Sequence, residues 1–213
     1  MDAELLPLSA YARFLVTLIA VLDPFLAVPV YLALTAHHGA LRRRSLARVV
    51  AITVFAVLAV SALVGERLLV FIGASLPAFR VGGGLVLLLM SLAMLNAEAG
   101  GVRQTRAEAR EVASGEASGA VPLAVPLLAG PGAISTTILA AQPGGAAHLA
   151  AILGCIAIAC AATWTVLRLA QPIGARLGTT GLNIATRLLG LLLAALAVQT
   201  MAEGLRQLFP GLG

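Results

Sequence analysis

An aspartate, two arginines and a run of hydroxyls sit inside apolar stretches where lipid would give them no partner. Asp23 follows Val21-Leu22 and precedes Pro24. A carboxylate near the middle of a membrane span costs roughly 2.5–3.5 kcal/mol on insertion scales, so it needs a partner or a wet cavity. There it can bind and release a proton or meet a substrate, and it can also cap a half-helix starting at Pro24. Arg80 and Arg187 each lie a few residues into an apolar run. Each can pair with Asp23, with a carbonyl freed by a helix break or with a substrate carboxylate, and each can equally snorkel to the interface. Ser135, Thr136 and Thr137 follow Gly130-Pro131-Gly132 within about one turn. Pro131 suits the first position of a half-helix, and the positive end of that half-helix would attract an anion.

These residues need interrupted helices to hold them. The apolar run from Val121 to Ala141 is long enough to cross a bilayer, which takes about 20 residues, yet Gly-Pro-Gly stands in its middle. Proline removes a donor and glycine favours the unfolded backbone, so a break is expected there. The freed backbone groups are tolerated only inside protein or beside a wet cavity. A second break is expected at Asp23-Pro24. Pro24 and Pro131 are 107 residues apart, as are Arg80 and Arg187, Gly83 and Gly190, and Met94 and Met201. Two prolines and two intramembrane arginines at one offset indicate duplication. Interrupted segments at matching positions of two halves point to a transporter binding site, here Asp23, Pro24, Gly130, Pro131, Gly132, Ser135, Thr136, Arg80 and Arg187.

The chain has 213 residues, 60% hydrophobic and 11% charged, with a mean hydropathy of +1.01. A soluble domain would be near 25% charged, so this is an all-α polytopic membrane protein. Six apolar runs are expected as spans: Leu8–Thr35, Val49–Phe71, Pro77–Ala97, Val121–Ala141, Ala147–Ala170 and Thr186–Phe209. They divide into a first repeat over 1–97, a linker over 98–120 and a second repeat over 121–213. All 14 basic residues are arginine, and nine of them fall in the first, third and fifth connections or just before them. Cytoplasmic loops carry the arginine excess, which places both termini outside. Three spans per repeat is odd, so the second repeat runs inverted and spans one and four are the broken ones.

Other residues read as structural. The net charge of +5 needs no nucleic acid, because the positive-inside pattern explains it. Cys155 and Cys160 lack CxxC spacing and read as core packing. His37, His38 and His148 have no metal-ligand company, and no cofactor or metal is expected. Gly82, Gly83 and Gly84 suit close helix packing. Glu66 and Glu203 are expected to be solvated near the outer span ends. The acidic Met1–Glu4 start predicts no cleavable signal peptide.

Several blocks carry a resemblance. They are Asp23-Pro24 with Pro29, Gly65-Glu66-Arg67-Leu68-Leu69, Ser75-Leu76-Pro77-Ala78-Phe79-Arg80-Val81-Gly82-Gly83, Pro122-Leu123-Ala124, Pro126-Leu127-Leu128-Ala129-Gly130-Pro131-Gly132-Ala133-Ile134, and Arg187-Leu188 with Gly190. With them the chain resembles the MarC family of bacterial and archaeal inner-membrane proteins, also called the neutral amino acid transporter family. The resemblance implies six spans in a 3+3 arrangement and, for some archaeal members, uptake of glycine and other small neutral amino acids. The family often has glycine two residues after the first proline, where this chain has Leu26.

The expected function is a secondary transporter of a small neutral amino acid of the glycine or alanine type in the inner membrane, not an enzyme. No Walker motif is present, so an ion gradient or exchange must supply the energy, and Asp23 is the candidate for proton coupling. A membrane thiol carrier would need a reactive cysteine in each repeat, whereas both cysteines fall in span five. A structural or regulatory membrane protein without transport is the alternative, ranked below transport because broken helices around an intramembrane aspartate are a costly way to build a scaffold.

Overall fold

Apolar runs punctuated by proline and glycine fold into helices whose ends fall at that punctuation. The computed structural model describes residues 7–36, 38–96, 128–142 and 144–212. The 98–120 linker, the first half of the expected fourth span up to Leu127, His37 and the Met1–Leu6 tail lie outside the described residues. Helix α1 (Leu8–Leu22) is followed by α2 (Pro24–Leu34). Pro24 has no N–H to continue α1, and its ring pushes the preceding residue out of the right-handed helical region. Asp23 accordingly adopts φ 41°, ψ 70°. It is the only described non-glycine residue with positive φ. Pro29 stays within α2 without ending it.

Helix α3 (Ala40–Phe71) has 32 residues, about 48 Å, against a hydrocarbon core of about 30 Å. It begins nine residues before the expected Val49, because Leu41-Arg42-Arg43-Arg44 are good helix formers and α2 anchors them. The Arg43 Nε donates to the Thr35 carbonyl at 2.9 Å, and the Tyr31 hydroxyl donates to the Arg43 carbonyl at 2.6 Å. A turn through Gly73 (φ 72°) leads to α4 (Leu76–Leu95), whose first turn is capped by the Ser75 hydroxyl. Helix α5 (Pro131–Ala141) has 11 residues and is too short to span alone. Helix α6 (Ala146–Arg168) crosses fully. Helix α7 (Ala170–Leu208) contains a sharp break at Gly178 (φ 60°, ψ −174°), a region that essentially only glycine enters. Its transmembrane part therefore starts after Gly178, and the helix extends well before the expected Thr186. A 3-10 turn, Pro210–Leu212, closes the described chain.

Five stretches are long and apolar enough to cross a membrane, and α5 is a shorter apolar helix. Among the described residues there is no strand. Helix α4 lies along α7, α3 along α6, and α1 and α2 pack onto α6 and α7. Lipid tails give apolar helices no drive to associate, so close packing has to come from small residues. A side chain at Gly84 would sit 3.0 Å from the Ala197 carbonyl oxygen, one at Gly190 3.2 Å from that of Ser91, and one at Gly204 2.8 Å from that of Pro77. These glycines let α4 and α7 touch along their length. The core runs through Leu18, Val21, Leu22, Leu58, Met94, Leu128, Ile156 and Leu193. Val60, Leu63, Leu85, Leu188 and Leu191 face outward as the lipid-exposed belt.

Candidate functional site

The first break is a double cap. The Asp23 N–H closes α1 on the Ile19 carbonyl at 3.0 Å. Its Oδ1 accepts from the Leu26 N–H at 3.3 Å and so opens α2. The residue is fully buried. Aspartate suits both tasks, because its short polar side chain tolerates the left-handed region and is a strong N-cap. Pro24, Leu26 and Ala27 are buried around it, so Leu26 packs into the core.

At the second break, Leu128, Ala129 and Gly130 are buried and Pro131 opens α5. Val21 and Leu22 at the first break and Leu128 and Ala129 just before α5 belong to the same cluster of buried residues. Helix α5 is wedged between α3 and α4. A side chain at Gly65 would collide with Ile138, one at Gly132 with Met90, and one at Gly83 would sit 3.2 Å from the Ser135 Cβ. The Ser135 hydroxyl donates to the Gly132 carbonyl at 3.1 Å. The hydroxyls of Thr136 and Thr137 are buried and have no hydrogen-bond partner among the described residues. A buried unsatisfied hydroxyl loses about 1–3 kcal/mol relative to a paired one, so each is a site waiting for an acceptor or donor.

Thr136 opens into a cavity of about 230 Å³ bounded by α1, α4, α5 and α7. Phe14, Leu87, Leu139 and Ala140 form its apolar walls, and Thr17, Arg80, Thr200 and Glu203 supply the polar groups. The Arg80 Nη1 and Glu203 Oε2 are 3.6 Å apart, with the side chains 24% and 50% exposed. Gly204 brings them together, since it lets α7 approach Pro77 and Arg80 on α4. Glu203 also accepts from the Gln199 Nε2 at 3.0 Å. The Thr17 and Thr200 hydroxyls donate to carbonyls one turn back, both at 2.8 Å, and keep their lone pairs for a ligand. The space is smaller than the roughly 300–1,000 Å³ of drug-sized sites. It is lined by one cation, one anion and three threonines, a set that matches a small zwitterion.

The expected site residues thus fall into three places. Arg80 and Thr136 line the cavity. Asp23, Pro24, Gly130, Gly132 and Ser135 form the buried breaks and the wedge, and Pro131 heads α5 from an exposed position. Arg187 is exposed on α7 beside Ile184, Leu188 and Leu191 and does not line the cavity. Glu203 is half-exposed and ion-paired rather than simply solvated. Its spacing gave no signal, because its partner Arg80 is on another helix. His148 is buried in the first turn of α6. Its Nε2 donates to the Ala140 carbonyl at 2.9 Å, which leaves Nδ1 to accept from the Tyr11 hydroxyl at 2.8 Å. It therefore ties α1 and α6 to the last turn of α5, beside the cavity.

The model of the MarC family of integral membrane proteins matches residues 8–209. The UPF0056 membrane protein YhcE of Escherichia coli is 33% identical over 203 residues, 95% of this chain and 94% of that protein. YvbG of Bacillus subtilis is 34% identical over 204 residues, with 95% and 97% covered. MJ1677 of Methanocaldococcus jannaschii is 34% identical over 194 residues, with 89% and 93% covered. No solved structure matches the chain.

Proposed function

The chain belongs to the MarC family of integral membrane proteins, and we propose that it is a secondary transporter of a small neutral amino acid of the glycine or alanine type, coupled to an ion gradient in the inner membrane. The observation that carries this reading is the cavity lined by Arg80, Glu203 and Thr136. Arg80 offers its fork of donors to the carboxylate, Glu203 accepts the ammonium, and Thr136 completes the carboxylate shell. Phe14, Leu87 and Leu139 leave room for a short side chain only.

The packing supports a 3+3 inverted repeat. Helices α1 and α2 contact α6 and α7, just as α5 contacts α3 and α4, and α3·α6 and α4·α7 pair across the halves. Gly190 approaches Met94, and Gly84 approaches Met201; Met94 and Met201 are related by the 107-residue offset, and Gly84 is one residue beyond the equivalent of Gly190. Alternating access would rock one half against the other around the breaks. Asp23, buried at the first break, is the titratable group placed to couple proton movement to that rocking.

Uptake of labelled glycine, alanine and larger amino acids into proteoliposomes, with and without a pH gradient, tests the reading. Glycine and alanine should accumulate when a pH gradient is imposed and leucine should not. No uptake of any small amino acid in either condition would leave a membrane protein without this activity.

A further inference from the structure

Two hollows share the seam between α3 and α6 at the end of the bundle that carries Arg42, Arg43 and Arg44. The outer hollow, about 260 Å³, has Arg44 and Arg168 in its wall. The second is an apolar groove of about 400 Å³ that starts at Arg48 and Trp164 and runs along Ile52 and Phe55. Arg44 and Arg48 are one helical turn apart on α3, and Arg168 and Trp164 are one turn apart on α6, so the groove continues directly from the hollow. The Arg168 guanidinium carbon lies 5.2 Å from the Trp164 ring centroid, a cation–π distance that fixes the head of the seam.

Charge and shape change together along this seam. None of the described carboxylates, Asp23, Glu66 and Glu203, lines either hollow. Arg43 is occupied by the carbonyls of Thr35 and Ala36, whereas Arg44 and Arg48 enter no ion pair among the described residues. From Arg48 to Phe55 the groove runs about 10 Å, roughly two-thirds of a single leaflet of about 15 Å. The groove is open to the surroundings along its length, since Ile52 in its wall is 60% exposed.

The geometry points to an anionic phospholipid held at this seam, its phosphate between Arg44, Arg48 and Arg168 and one acyl chain in the groove past Phe55. A soluble anion would not use the apolar groove, and a zwitterionic lipid would not balance three arginines. Basic pockets between transmembrane helices hold anionic head groups in this way.

Trp164 is the only tryptophan of the chain, so its fluorescence reports on the groove. The experiment compares quenching by brominated-chain phosphatidylglycerol and brominated-chain phosphatidylcholine in vesicles of both lipids. Phosphatidylglycerol should show at least about fivefold higher apparent affinity. Arg44→Gln with Arg48→Gln should bring the ratio close to one. Arg48→Lys, which keeps the charge, and Arg42→Gln, at the same end but outside both hollows, should leave the preference in place. Equal quenching of the wild type by the two lipids would overturn the proposal. So would a preference that survives the double substitution, one lost equally in Arg42→Gln, or one abolished by inorganic phosphate.

Discussion

Arg80 on α4 and Glu203 on α7 face each other across the cavity at 3.6 Å, near enough to attract and too far to hydrogen-bond. A partly exposed pair of this kind contributes little to stability. Both side chains therefore keep hydrogen-bonding capacity for a third group. Arg80→Gln and Glu203→Gln should each leave the unfolding midpoint nearly unchanged. Each removes one charge-assisted contact to a zwitterion, about 1.5–3 kcal/mol, so KM for glycine uptake should rise roughly 10- to 150-fold. Unchanged KM in both variants would remove the cavity from the transport path.

Thr136 and Thr137 are neighbours whose buried hydroxyls have no partner among the described residues, in different surroundings. Thr136 lines the cavity and Thr137 does not. Thr137→Val should stabilise the detergent-solubilised protein by about 1 kcal/mol, because an unsatisfied polar group is replaced by an apolar one of similar shape. Thr136→Val should stabilise the empty protein similarly and weaken glycine uptake about tenfold. Thermal unfolding and uptake measured on both variants separate the two residues.

Asp23 is held by two needs, a cap and a left-handed backbone. Asparagine meets both, so Asp23→Asn should fold and exchange substrate while losing accumulation driven by a pH gradient. Asp23→Ala should lower stability by at least about 1 kcal/mol through loss of the cap. Wild-type accumulation in Asp23→Asn would leave the carboxylate with the capping role alone.

His148 joins three helices through one ring. Tyr11→Phe removes the donor to Nδ1 and leaves that nitrogen unpaired in the core, at a loss of about 1–3 kcal/mol. His148→Ala opens a cavity as well and should be the more destabilising of the two. Equal midpoints for wild type and both variants in a detergent melt would contradict this.

The arginine end should be cytoplasmic. In a background free of Cys155 and Cys160, a cysteine at Ile72, which is 62% exposed, should react with an impermeant thiol reagent added outside intact cells. A cysteine at Gly39 should react only after the cells are opened. The reverse pattern would invert the topology.

Proline chemistry is local, and so the first break is legible in the amino-acid sequence alone. Pro24 removes an N–H and constrains its predecessor whatever packs around it, and Asp23 is among the few residues that accept the resulting conformation. The start of α5 at Pro131 follows from the same chemistry, and Ala40–Phe71 shows the limit of that reading. An apolar run ends at its first arginine, whereas a helix continues as long as its hydrogen bonds are favourable and its end is anchored, as Arg43 anchors this one.

By itself the sequence determined an all-helical membrane protein, the break at Asp23-Pro24, the helix start at Pro131 and the arginine-rich end, because span length, proline geometry and charge act within a few residues of chain. Only the tertiary structure decided which polar groups meet. Arg80 and Arg187 hold equivalent places in the 107-residue pattern, yet Arg80 lines the cavity and Arg187 lies exposed on α7. Each residue turns a helix by about 100°, so whether a side chain faces core or lipid depends on how the glycines at 84, 190 and 204 seat α4 against α7. That seating brings Glu203 to Arg80, and no spacing along the chain encodes it.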